Sequence, residues 1–353
     1  MKHRAGSASG MTLVELMVGM AVGLFVALIA ISTFVSTRTL NLVNASSMRQ
    51  SENGRLAMEL LTADLRSSGF AGCRPLAQRV DDPLVSVLNG GINEGFITEG
   101  SSGLRSYHGT GTTFSPVLPT ALSSLGALAN SDVVSVRVPA DAAALGLVAA
   151  MGSSTAAPQI QANAPGNTIA QGDVLLISNC KAASIFQVTV NPVATGVLDH
   201  ATGTSPAPGN ASNDLGHAYR SDATVYRLQT RHYYIAPSNM RPGTNSLWRW
   251  VVPGGANPIE VANGIDRLVV SYGVDTDTAP DQNVNRYLKP FEVAADAWDR
   301  VMSAQVQLLV STPDDYMALT NQTYQFAGSS VVATDRRLRT ELSEVVTLRN
   351  GAP

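Results

Sequence analysis

The stretch GMTLVELMVGMAVGLFVALIAISTFVSTR, residues 10–38, decides the fold. From Leu13 to Val35 it runs for 23 residues with a single charged side chain, Glu15. A helix of that length rises roughly 35 Å, enough to cross a hydrocarbon core of about 30 Å. Because a helix of a soluble core is rarely apolar all round over such a length, the stretch predicts a membrane-spanning helix over residues 11–36.

The ten residues before this stretch, MKHRAGSASG, form a short basic flank that contains Lys2 and Arg4. A positive flank keeps its end of a membrane helix in the cytoplasm. An ordinary secretory signal has its cleavage site after the apolar stretch, whereas here no A-x-A pattern follows it and the small residue Gly10 precedes it. Cleavage after Gly10 would therefore leave the apolar helix on the mature chain.

Glu15 needs an explanation, because a carboxylate inside a bilayer costs about 2.5–3.5 kcal/mol on insertion scales. Cleavage after Gly10 would create an α-amino group on Met11, and an ammonium is the natural mate of a buried carboxylate. Glu15 is near enough in sequence to meet its own Met11 amine, or it could meet the amine of a neighbouring chain. The alternative is that Glu15 only reaches out to the membrane interface near the helix end.

The order Gly10-Met11-Thr12-Leu13-Val14-Glu15 followed by an apolar helix resembles a type IV prepilin (class III) signal. The resemblance implies that a prepilin peptidase cuts after Gly10 and N-methylates Met11, and that Glu15 engages the N-terminus of a neighbouring subunit during assembly. Met11 stands where the family usually has Phe, a departure that minor pilins tolerate.

Five further segments resemble the PilW type of minor pilin. They are RSSGFAGCR (66–74), SNCKAASIFQVT (178–189), RHYYIAPS (231–238), NGIDRLVVSYGVDTD (263–277) and DRRLRTELSEVVTLRN (335–350). The resemblance implies a structural protein of the inner membrane, later incorporated into the extracellular pilus, that initiates and caps type IV pili and supports twitching motility and adhesion. Its implied partners are the peptidase, other minor pilins, the major pilin and a tip adhesin; it implies no enzymatic activity and no cofactor.

Two other functions stay open. A minor pseudopilin of a type II secretion system would share the signal and the helix but serve protein export. A signal-anchored periplasmic binding protein would use its head for DNA or a ligand and would not be processed at Gly10. Without the leader, the chain has 22 basic and 27 acidic residues, a net charge of −5, which argues against a nucleic-acid binder.

The two cysteines, Cys73 and Cys180, lie on the outer side of the membrane in the predicted topology, where disulfides persist. We expect a Cys73–Cys180 bridge that joins the end of the long helix to a strand of the head. Two free buried thiols are the alternative.

The amphipathic pattern continues to about Ser68, and Gly69 and Gly72 then supply stop signals. Gly54 costs about 1 kcal/mol relative to alanine and is a candidate bend. Gly19 and Gly23 form a GxxxG pattern, a candidate close-packing face or local weak points of the helix. The predicted organisation is a leader (1–10), a membrane half (11–36) and an amphipathic half (37–69) of one helix, and a periplasmic head (70–353).

The head reads as β-rich, so the predicted fold class is α+β and type IV pilin-like, a long N-terminal helix packed on a β-rich globular head. β-branched or alternating runs occur at 133–138, 174–178, 185–190, 224–235, 247–252, 268–274, 305–311 and 341–348. Residues 121–129, 140–150 and 293–301 are candidate short helices. The loop at 191–222 is long for a compact domain, which predicts that it is functional or mobile.

Residues that carry chemistry are sparse in the head. A weak calcium-loop candidate is formed by Asp275, Asp277 and Asp281. Pro280 and Arg286 stand where an EF-hand needs Gly and Glu, so a solvated turn fits better.

Trp248 and Trp250 share one face of a strand and would form a docking patch if exposed, whereas packing on the head's own core is the alternative. No histidine pairing has metal-ligand spacing, so no metal site is predicted. Tyr233 and Tyr234 point to opposite sides of a strand, so we expect at most one of them in the core.

Overall fold

The computed structural model describes residues 10–73, 84–91, 95–98, 102–163, 168–255, 257–278 and 281–348. The predicted leader lies outside them except for Gly10. One helix, α1 (Leu13–Ser67), carries the N-terminal part, and Ser68 and the left-handed Gly69 end it. The α+β prediction is confirmed: α1 packs along a β-rich head.

The larger sheet contains nine strands among the described residues. They are β1 (Val85–Ser86), β2 (Leu104–Gly109), β3 (Phe114–Ser115), β4 (Val133–Gly146), β5 (Val174–Ser178), β6 (Ala183–Gln187), β7 (Thr224–Pro237), β8 (Asn245–Val252) and β9 (Ile259–Asn263). The long strand β7 is central: β4 runs along one side, while β5 and then β8 pair with successive parts of the other side. A short helix, α2 (Thr120–Ser123), precedes β4.

A second sheet of four strands has the order β11-β10-β12-β15. Its strands are β10 (Ile265–Val274), β11 (Arg286–Leu288), β12 (Val301–Ser311) and β15 (Arg339–Thr347), all antiparallel to their neighbours. A hairpin of β13 (Thr323–Phe326) and β14 (Ser329–Val332) lies between β12 and β15 in sequence. Helix α1 packs on this sheet through Ala57, Leu61 and Leu65, which are fully buried and spaced four residues apart.

Three expectations about the head were wrong. Residues 140–146 continue strand β4, because Ala144 to Gly146 pair with β7 and strand pairing overrides the helical propensity of alanine. The helix near 121 is limited to α2. The segment 293–301 holds only a short 3-10 turn at Ala297–Arg300, after another at Pro290–Glu292.

Tyr233 and Tyr234 are both buried, so the expectation that at most one of them enters the core was also wrong. They do point to opposite sides of β7, but each side is covered. Tyr233 lies in the core beneath α1, and Tyr234 packs in a cluster with Leu122 of α2.

The long segment 191–222 contributes to a second core. Leu198, Leu215 and Tyr219 are buried there against Phe186 of β6. Much of this segment therefore owes its position to its own buried side chains rather than to regular secondary structure.

Candidate assembly surface

The beginning of α1 is closed by a reciprocal capping contact between Thr12 and Glu15. The Glu15 backbone N–H donates to the Thr12 hydroxyl (3.3 Å), and Glu15 Oε2 accepts from the Thr12 backbone N–H and from its hydroxyl (both 3.0 Å). This arrangement satisfies backbone donors that a helix start leaves unpaired. The T-x-x-E pattern could have revealed this role from sequence, but the sequence analysis missed it.

Glu15 Oε1 makes no hydrogen bond with any described residue. Gly10 and Met11, just before the cap, are exposed, and no described atom lies within 4 Å of a Cβ built on Gly10. The predicted cleavage and methylation positions are therefore accessible in the structure, and the two modifications stay predictions.

The first half of α1 projects from the head. Its first buried residue is Ser46, and residues 13–42, which extend roughly 45 Å, are all exposed. Large apolar side chains stay exposed along it, among them Met17 (62%), Phe25 (65%) and Phe34 (68%). By length and composition this helix is a candidate membrane span, which fits membrane anchoring of the chain.

Gly19 and Gly23 lie in this projecting half. A Cβ built on either residue meets no described atom within 4 Å. Neither glycine therefore packs against the described part of its own chain, and the close-packing face stays a prediction about contacts with other helices.

The second half of α1 is fixed to the head by polar side chains as well as by its apolar stripe. Gln50 Nε2 donates to the carbonyls of Val310 (2.7 Å) and Leu338 (3.2 Å), and Asn53 Nδ2 donates to the carbonyl of Asn263 (3.0 Å). These bonds satisfy backbone carbonyls at the ends of three strands, which fixes the helix along its axis as well as across it.

Asp64 forms another buried polar anchor of the helix. Its Oδ1 accepts from Arg231 Nη1 (2.7 Å), and its Oδ2 accepts from the Tyr233 hydroxyl (2.6 Å). Burial and the adjacent Asp64 charge both raise the pKa of Tyr233, so its hydroxyl stays a donor at every working pH. We define Asp64, Arg231 and Tyr233 as the helix clamp.

Gly54 does not mark a bend that interrupts the helix, since α1 is continuous from Leu13 to Ser67. It is buried where the helix comes nearest to the sheet. A Cβ on Gly54 would lie 2.6 Å from Leu342 Cδ1 and 3.1 Å from Val310 Cγ2. Close approach to β15 and β12 therefore explains this glycine.

The predicted disulfide between Cys73 and Cys180 is present, with the two Cα atoms 5.0 Å apart and the two residues 107 positions apart in sequence. It joins the segment after α1 to the end of β5. Gly72 has a left-handed φ of 74°, and a Cβ there would lie 2.5 Å from Ser178 Oγ. The bridge therefore depends on a glycine next to it, since a larger residue would keep the two segments apart.

The three candidate calcium ligands do come together: carboxylate oxygens of Asp275, Asp277 and Asp281 lie within 4.8 Å of one another. Asp275 Oδ1 accepts the Asp277 N–H (3.0 Å), and its Oδ2 accepts the Gln282 N–H (2.8 Å). Turn geometry accounts for these contacts without an ion. Calcium binding therefore stays a prediction that the contacts do not require.

Trp248 and Trp250 of β8 are partly buried on the sheet face that also carries Tyr234 of β7. Both rings pack on the cluster around Tyr234. Trp250 stacks on His232 with ring centroids 5.2 Å apart and donates to the Gly255 carbonyl (3.0 Å). Packing on the head's own core is therefore what the structure shows for this pair. Both rings also line an open groove of about 710 Å³.

Comparison with known proteins gives one match. Residues 232–350 match the family model PilW, described as type IV pilus-assembly protein W. No curated protein and no solved structure shows a significant match. The matched region contains β8 to β15 and one helix-clamp residue, Tyr233 on β7. The C-terminal third of the chain is therefore similar to the PilW family of type IV pilus-assembly proteins.

Proposed function

We propose that the chain is a minor pilin that initiates and caps type IV pili, and so supports twitching motility and adhesion. The observation that carries the proposal is the half of α1 that projects from the head with its apolar side chains exposed. An exposed apolar surface of this size needs lipid or other helices to cover it. A helix bundle within a pilus supplies the second kind of cover after the membrane has supplied the first.

In this proposal a prepilin peptidase removes residues 1–10 and N-methylates Met11. The membrane half (11–36) leaves the bilayer sideways into a bundle of pilin helices. The amphipathic half (37–69) stays fixed under the periplasmic head (70–353). The head then contacts other minor pilins, the major pilin and a tip adhesin.

Glu15 sets the register of the bundle. Its Oε2 already caps its own helix through Thr12, while Oε1 has no partner among the described residues. Oε1 is therefore the atom that accepts the N-terminal ammonium of a neighbouring subunit. A buried carboxylate is tolerated only where such a donor meets it.

The test begins with the N-terminal sequence and mass of the protein from membranes of its own host and from a peptidase-deficient strain. The proposal requires a chain that starts at N-methylated Met11 in the first strain and at Met1 in the second. A chain that keeps Met1 in the competent host would favour the anchored binding protein.

Glu15→Ala then tests the register. We expect normal insertion but few pili, with Glu52→Ala, an exposed carboxylate of the same helix, as the matched control. Normal pilus number with Glu15→Ala would reject the role of the carboxylate. Deletion of the chain separates pilus from secretion system, since the proposal requires loss of twitching with exoprotein release intact.

A further inference from the structure

A pocket of about 520 Å³ opens on the face of the four-stranded sheet that points away from α1. Along β10, Leu268 and Val270 point into the core beneath the helix, so the alternate residues Arg267 and Ser271 face the other way. Both line this pocket, together with residues after β2, residues beyond β11 and the β13–β14 hairpin. The proposed assembly through α1 leaves this face free.

Arg267 is held in place at the pocket without an ion partner. Its Nε donates to the carbonyl of Asn130 (2.9 Å), and its guanidinium carbon lies 5.1 Å from the centroid of the Phe326 ring. Among the described residues, neither Nη atom has an acceptor and no carboxylate forms a salt bridge with Arg267. The two terminal nitrogens are therefore preorganised donors for an anion.

A second cation and a histidine line the same pocket. Lys289 is exposed, and its ammonium has no ion pair in the part of the chain that the structure describes. His108 is held by its Nδ1 against Oδ1 of Asp132 (2.8 Å), a fully buried carboxylate, which leaves Nε2 as the free ring nitrogen. Among the described lining residues Glu292 is the single carboxylate, and it accepts the backbone N–H of Lys289 (2.7 Å). Arg267 and Lys289 therefore leave the lining with a net positive charge.

Aromatic rings lie at the edge of this pocket. Tyr287 lines it and is 47% exposed, and Phe291, 48% exposed, lies beside His108 with ring centroids 5.4 Å apart. Exposed rings offer flat apolar surfaces to the C–H face of a sugar. The Ser271 hydroxyl donates to Gln305 and the Gln307 amide to Glu341, so the side-chain oxygens of Ser271 and Gln307 are the acceptors offered to sugar hydroxyl groups. Cations, flat rings and hydroxyl partners in one cavity match a sugar that carries a carboxylate.

We propose that this pocket binds an acidic oligosaccharide, with the sugar carboxylate on Arg267 and Lys289 and a sugar ring against Tyr287. The inference goes beyond assembly and does not depend on it, because binding is measured on the isolated chain. Its failure would leave the processing and pilus tests untouched.

The experiment is calorimetric titration of the full chain in detergent micelles with tetragalacturonic acid. The fully methyl-esterified tetramer is the neutral probe with the same rings. Losing the preorganised cation in Arg267→Gln is expected to weaken binding about 10- to 100-fold, the range for a charge-assisted contact. Lys289→Gln removes an exposed side chain, keeps the fold and is expected to weaken binding about 3- to 10-fold.

Arg220→Gln is the matched control, because it removes one exposed positive charge that is not part of the pocket lining. The proposal requires that Arg220→Gln binds like the parent and that the ester binds at least tenfold more weakly than the acid. No binding of the acid by the parent, or equal affinity for Lys289→Gln and Arg220→Gln, would overturn it. Competition by sodium sulfate at the concentration of the tetramer would also overturn it, because a simple anion would then suffice.

Discussion

Removing the carboxylate of the helix clamp, by Asp64→Ala, should separate α1 from the head more effectively than removing any exposed charge of the helix. Asp64 is 7% exposed and accepts a charge-assisted hydrogen bond from Arg231 and a buried one from the Tyr233 hydroxyl. The variant leaves the Tyr233 hydroxyl buried without an acceptor, at a cost of about 1–3 kcal/mol. Arg231 keeps 21% of its side chain in solvent, so its lost partner adds only about 1 kcal/mol.

The expected loss in the free energy of unfolding is therefore about 3 kcal/mol, at the lower end of the range for breaking a buried pair. The assay is denaturant unfolding of the full chain in micelles, followed by tryptophan fluorescence, since all three tryptophans lie in the head. Asp64→Asn keeps an acceptor for Tyr233 and should lose only about 1 kcal/mol.

A double-mutant cycle with Tyr233→Phe tests whether the contact itself is responsible. Asp64→Ala and Tyr233→Phe together should cost less than the sum of the two single changes, by about 1–2 kcal/mol. Glu52→Ala, an exposed carboxylate of the same helix, should stay within about 0.5 kcal/mol of the parent. The reasoning fails if Asp64→Ala costs no more than Glu52→Ala, or if the cycle is additive.

Three more changes test other contacts of the fold. Replacing Cys73 and Cys180 by serine should lower the unfolding free energy by about 2–5 kcal/mol and abolish the effect of dithiothreitol on the melting temperature. Gly54→Val should destabilise by about 1–3 kcal/mol despite the helix cost of glycine, and Leu342→Ala should recover part of that loss in the unfolding assay. Burial lowers the pKa of His232 from 6.5 to about 4. The stability that the neutral ring contributes is therefore fully present above pH 6.5, and the free energy of unfolding falls by up to about 3 kcal/mol as the pH drops toward 4. His232→Gln should flatten this slope in melting experiments between about pH 7 and 4.

The long helix, its end at Gly69 and the Cys73–Cys180 pair were all predictable from sequence. The helix follows from the length of an apolar run, and its end follows from a glycine that stops it. The disulfide follows from two cysteines placed after a membrane span, on the side where disulfides persist. The two-sheet arrangement was not predictable, because it depends on pairings between residues as many as 99 positions apart. Val134 of β4 with Tyr233 of β7 is one such pairing.

The errors have one physical cause, which is that tertiary contacts outweigh local preference. Alanines at 140–146 look helical until β7 offers them a strand to pair with. Gly54 looks like a candidate bend until the sheet comes within contact distance. Alternation along β7 suggests that only one of Tyr233 and Tyr234 is buried, but Leu122 and its neighbours cover the second side of the sheet. None of these partners can be identified from the residues next to the position concerned.

The second half of α1 is fixed to the head, whereas the first half carries Glu15 and contacts other helices in the proposed bundle. Glu15 can therefore control the position of the head. The clamp residue Asp64 lies 49 residues after Glu15 on one uninterrupted helix, roughly 74 Å along its axis. Because the clamp, Gln50 and Asn53 fix that helix to the head, the head cannot slide independently of it. In the proposed bundle, meeting Glu15 with a neighbouring ammonium therefore sets the axial height of the whole head, and a slip of one helical turn would displace it by about 5.4 Å. Changes at Glu15 should thus misplace an intact head, whereas changes at Asp64 should loosen a correctly placed one.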